Sequence, residues 1–153
     1  MNRLAIGVFW FLAFCALAGS EVTGAQEPSQ TEVDHALAAV KSAPISKLDR
    51  GLPGTRLEDW LQTQAGPEGR IQWDYQYSTA PSVHMHFVEA VVTFNEDQSF
   101  MVSIEVEHGQ PLSFETGWVI LGSERSIDLK RLSDLPQALN KLRSESTDRE
   151  AIR

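Results

Sequence analysis

Residues 83–108 read VHMHFVEAVVTFNEDQSFMVSIEVEH. Two runs in this stretch repeat with a period of two on either side of an acidic break at Glu96-Asp97-Gln98. In the first run the even positions are His84, His86, Val88, Ala90, Val92 and Phe94. In the second they are Phe100, Val102, Ile104, Val106 and His108, while Ser99, Ser103, Glu105 and Glu107 stand between them. Alternation of this kind marks two strands that each bury one face, and the even face is the apolar one. A slip of one residue would turn every side chain to the other face, so opposed residues must have numbers that sum to an even value. A three-residue loop then pairs Phe94 with Phe100, Val92 with Val102, Ala90 with Ile104, Val88 with Val106 and His86 with His108.

Upstream, IQWDYQY at 71–77 alternates Ile71, Trp73, Tyr75 and Tyr77 with Gln72, Asp74 and Gln76, a further half-buried strand. A four-residue turn at Thr79-Ala80-Pro81-Ser82 sets Tyr77 beside His84, Tyr75 beside His86 and Trp73 beside Val88. Downstream, Gly109-Gln110-Pro111 breaks the pattern before a fourth strand over about 115–122. Its core, TGWVILG, is apolar on both faces, as in a strand that is central or covered twice. Ile127 and Leu129 suit a short fifth strand.

Helical spacing flanks the strands. Ser29-Gln30-Thr31-Glu32 and Thr55-Arg56-Leu57-Glu58 both have the Ser/Thr-x-x-Glu form of a capping box. The first opens a helix with Val33, Ala36, Leu37 and Val40 on one face, ending by Pro44. The second opens a shorter one with Leu57, Trp60, Leu61 and Ala65, stopped by Gly66-Pro67. Ser133-Asp134 caps a last helix carrying Leu135, Ala138, Leu139 and Leu142. The order predicts an α+β fold: a four-stranded antiparallel β-meander with N-terminal helices and a C-terminal helix packed on one face.

The chain has 153 residues, which suits one domain. Met1-Asn2-Arg3 is positive, residues 4–18 carry no charge, and small residues follow before Gly19 and before Gln26. This is the pattern of an export signal over 1–25, cleaved after Ala18 or Ala25, and its apolar run is short for a membrane span. The expected divisions are therefore a signal peptide at 1–25, one α+β domain at 26–143 and a disordered charged tail at 144–153. The expected location is periplasmic or extracellular, with no stable membrane insertion once the signal is removed. Thirteen Lys and Arg against 21 Asp and Glu give a net charge of −8, which argues against nucleic acid as a partner. Cys15, the one cysteine, lies in the signal, so a disulfide and a cysteine nucleophile are excluded from the mature chain.

The pairing above gathers His84, His86 and His108 with Tyr75 and Tyr77 at one end of the inner face. Such a set predicts a metal site for zinc or copper, with the three imidazoles as ligands and the tyrosines behind them. The competing expectation is a half-wet rim in which imidazoles hydrogen-bond tyrosine hydroxyls, titrating near neutral pH. On the opposite face, Met85, Phe87, Val91 and Met101 are too apolar for a solvated surface. The first helix or the N-terminal segment would cover them, or they form a docking surface for a partner, including a second copy as a homodimer. The same pairing sets Glu89 opposite Glu105, a like-charge contact. GxSxG, HExxH, Walker, GxGxxG and EF-hand patterns do not occur. The reading is thus an exported, non-enzymatic module binding a protein or small ligand through its sheet; the alternative is a metal-binding protein or metal-dependent hydrolase using the histidine cluster. No organic cofactor is expected.

Overall fold

The computed structural model describes residues 27–80, 83–122 and 125–151. The stretch 1–25, expected to be an export signal, lies outside these residues. The elements run α1 (Gln30–Ser42), α2 (Ile45–Leu48), α3 (Leu57–Ala65), β1 (Arg70–Ala80), β2 (Val83–Asn95), β3 (Gln98–Glu107), β4 (Gln110–Leu121), β5 (Ser126–Leu129) and α4 (Leu135–Ala151), with a 3-10 turn at Leu132–Asp134 before the last helix. The strands form one antiparallel sheet in sequence order, β1-β2-β3-β4-β5. The fold is α+β, as the sequence predicts, with the short fifth strand completing the meander.

Helix α1 begins with the expected capping box: Ser29 Oγ accepts from the Glu32 amide, and the Ser29 amide donates to the Glu32 carboxylate at 2.8 Å. The second box does not form. Arg56 occupies the cap position of α3 and instead donates to Asp59 at 2.7 and 2.9 Å. Here the chain entry is fixed by backbone bonds, Ile45 N–H to Thr55 O and Leu57 N–H to Ala43 O, which tie α2 to the start of α3. Gly66, at φ 68, ends α3 with a backbone that other residues adopt only under strain. Helix α4 extends to Ala151 and so takes in most of the stretch expected to be an unstructured tail. Once Leu135, Ala138, Leu139 and Leu142 dock, each further residue adds a helical bond without a new nucleus.

One core holds the molecule together. From the sheet it takes Val88, Ala90, Val92, Phe100, Val102, Ile104, Val106, Val119, Leu121 and Leu129. Against them pack Ala36 and Val40 of α1, Leu57, Trp60 and Leu61 of α3, and the leucines of α4. Every strand side chain in that cluster comes from one face, so the described helices all cover the even-numbered side of β2 and β3. Gly117 lets β3 and β4 come close: a Cβ there would meet the Met101 carbonyl oxygen at 2.8 Å.

The face assignment follows the sequence, but both hairpin registers are displaced by two residues. In β2–β3, His86 faces Val106, Val88 faces Ile104, Ala90 faces Val102 and Val92 faces Phe100. Phe94 is the extra residue of a bulge between Thr93 and Asn95. Asn95 then pairs with Gln98 across a two-residue turn, held by its side chain: Asn95 Oδ1 accepts from the Asp97 amide at 3.0 Å. In β1–β2, Trp73 faces Ala90, Tyr75 faces Val88 and Tyr77 faces His86. Pairing continues to Ala80 and Val83, closer to the turn than expected. Strand β4 also starts earlier than expected, at Gln110. His108 and Gly109, with φ of 50 and 74, form the two-residue connection between the paired Glu107 and Gln110. Pro111 is tolerated because β5 pairs only with Gly117–Ile120, leaving the first half of β4 at the sheet edge.

Candidate binding face of the sheet

The face of the sheet turned away from the helices is fixed by the same registers. One row across it reads Gln72, Val91, Met101, Trp118, Asp128. A second reads Arg70, Thr93, Ser99, Ile120, Ser126, and a third Asp74, Glu89, Ser103, Thr116. A fourth row is Gln76, Phe87, Glu105, Ser113, and Met85 faces Ser78 beyond it. Opposed side chains in such rows have Cβ atoms about 4.5–5.5 Å apart. Val91, Met101 and Trp118 therefore form one continuous apolar strip across three strands, with Ile120 beside it and Phe87 two rows away, beyond Glu89.

All four residues expected on a partner surface, Met85, Phe87, Val91 and Met101, lie on this face. Met101 is 9% exposed yet stands outside the helix-covered core. Ser103, on the same face, is only 2% exposed. Phe87, Val91, Trp118 and Ile120 are half-buried. Helix α1 does not provide the cover considered above, since Ala36 and Val40 belong to the opposite side. Two members of the strip, Trp118 and Ile120, escaped the sequence reading. Their signal was the run TGWVILG, apolar on both faces: one set of side chains fills the core and the other stands on the open face.

The charges on this face are mostly negative. Glu89 does not face Glu105; it stands between Asp74 and Ser103, while Glu105 faces Phe87 and accepts a hydrogen bond from Ser113 Oγ at 3.2 Å. Burial and the neighbouring Asp74 both raise the Glu89 carboxyl above its ordinary value. Asp74 accepts from the Tyr75 amide and from Gln76 Nε2. Asp128 closes the far end of the Trp118 row, and Arg70 is the cation at one corner.

The histidines are arranged differently from expectation. His86 faces Val106, and His108 lies in the turn beyond β3 with its side chain exposed. The direct His86–His108 opposition, on which the three-imidazole grouping was built, is therefore absent. His84 pairs with Thr79 through the backbone, and its side chain lies outside the described residues. Among the described residues, no three His, Cys, Asp or Glu side chains come together as a metal-binding group. The tyrosines do meet His86: Tyr75 Oη lies 2.8 Å from its Nδ1, and the Tyr77 ring stacks on it at 6.4 Å and 21°. Burial, with Glu32 nearby, raises the Tyr75 phenol.

No protein-family model, curated protein or solved structure matches the chain. No helix among the described residues is long and apolar enough to cross a membrane.

Proposed function

We propose that the protein is an exported, non-enzymatic binding module that engages a protein or a small ligand through the open face of its sheet. Export rests on the leader at 1–25. The binding role is supported by one observation above all: the strip Val91–Met101–Trp118, with Ile120 beside it and Phe87 beyond Glu89, on a face that the described helices leave bare. A contiguous apolar patch of this kind on a chain of net charge −8 costs solubility unless something uses it. The lack of catalytic sequence patterns supports binding over catalysis.

Titration with a neutral apolar dye such as Nile red tests the reading. The expected result is a saturable rise in emission that Phe87→Asp and Trp118→Asp remove while circular dichroism stays unchanged. A signal that never saturates, or one that both variants retain, contradicts it.

A further inference from the structure

We propose that the occupant of the open face is a cationic amphipathic polypeptide segment, one that presents apolar side chains flanked by Lys or Arg. This inference rests on the reading of the face as a binding surface and names its partner. The apolar strip from Val91 to Trp118 crosses two strand spacings, about 10 Å. It is bounded by carboxylates: Asp128 at one end of its own row, Asp74 and Glu89 two residues along on one side, and Glu105 beside Phe87. Arg70, at a corner, is the cation on the strand positions of this face.

That pattern selects among occupants. A second copy docked face to face would put Asp74, Glu89, Glu105 and Asp128 of each copy into one interface with a single Arg70 from each, and such an excess of like charge opposes association. A purely apolar ligand would cover the strip but leave half-buried Glu89 beside Asp74 uncompensated. A segment carrying cations along one side and at one end of an apolar stripe fills the strip and places opposite charge beside that pair and beside Asp128. Long Lys and Arg stems suit this, since they lie along apolar surface while the charged head reaches a carboxylate.

The test uses three short peptides of matched apolar pattern, in which the polar positions are all Lys, all Gln or all Glu. Each is titrated into the isotopically labelled mature protein and followed by amide chemical shifts. The Lys peptide should saturate and shift the resonances of Phe87, Val91, Met101 and Trp118. Its affinity should fall about tenfold in the double variant Asp74→Asn/Glu89→Gln, and steeply with added salt. The Glu peptide should not bind. Equal affinity for the Lys and Gln peptides overturns the proposal, as does no binding of the Lys peptide, or binding that shifts only helix resonances. A wild-type chain that light scattering finds dimeric, and that Phe87→Asp makes monomeric, would assign the face to a second copy instead. Nile red separates the two levels: if it still saturates at the face while the charge series is flat, the face binds but the partner's chemistry is wrong. If it too fails, both readings fall.

Discussion

The Tyr75 hydroxyl lies 2.8 Å from His86 Nδ1, a bond between adjacent strands at the half-wet end of the core. The Tyr77 ring stacks on the same imidazole, so His86 is held from two sides. Removing the hydroxyl with Tyr75→Phe leaves the packing in place and deletes one hydrogen bond. Stability should fall by about 0.5–1.5 kcal/mol in urea unfolding. An unchanged midpoint would show that water replaces the phenol at no cost.

Glu89 has a raised carboxyl, first from burial and then from Asp74. Its contribution to stability is full below the carboxyl's ordinary range and is lost as pH climbs through the raised value. Glu89→Gln removes that loss. The variant should be more stable than wild type at pH 7, by less than about 1 kcal/mol because solvent screens the pair. The gain should vanish below about pH 4, where wild type is itself protonated. A thermal-unfolding series over pH checks it; a gain that persists in acid would place its cause in packing.

Asp49 behaves in the opposite sense. Burial alone would raise its carboxyl, but hydrogen bonds from Ser133 and from the Gly51 amide, with Arg131 nearby, lower it overall. Its contribution is therefore present at neutral pH and is lost as pH falls through the ordinary carboxylate range. It pins the loop after α2 to the turn before α4. Asp49→Ala should cost about 1 kcal/mol at pH 7, since solvent screens the charge, and less near pH 2. A cost independent of pH would mean that the charge is not what matters.

The face assignment was legible in the sequence because the side-chain period in a strand is two, and every even-numbered residue from Val88 to Val92 and from Phe100 to Val106 is apolar. That parity survives a two-residue displacement, so the core residues are those predicted while their partners across the strands are not. Register depends on the turn, and the turn was decided by details that alternation cannot carry. Asn95 binds the Asp97 amide, Phe94 bulges, and His108 adopts a positive φ that histidine seldom takes. The opposition of His86 and His108 depended on register and is absent; the placement of Met85, Phe87, Val91 and Met101 on one outer face depended on parity and holds. Trp118 was ambiguous in the sequence because a strand with core on one side and an open patch on the other looks the same as one buried twice.

Ile104 is fully buried, whereas Leu112 is 51% exposed at a bulge of β4. Ile104→Ala should cost about 2–4 kcal/mol and Leu112→Ala less than about 0.5 kcal/mol. Both can be read from guanidinium unfolding at constant slope. The reverse ranking would place the core on the wrong side of the sheet.

Hydroxyl-radical footprinting of the purified protein tests most directly whether the helices leave one face of the sheet bare. Phe87 and Trp118 should be oxidised readily, while Phe100 and Trp60 stay protected until the chain unfolds. Protection of Trp118 equal to that of Trp60 in the free monomer would mean that the face is already covered, and the binding role assigned to it would not stand.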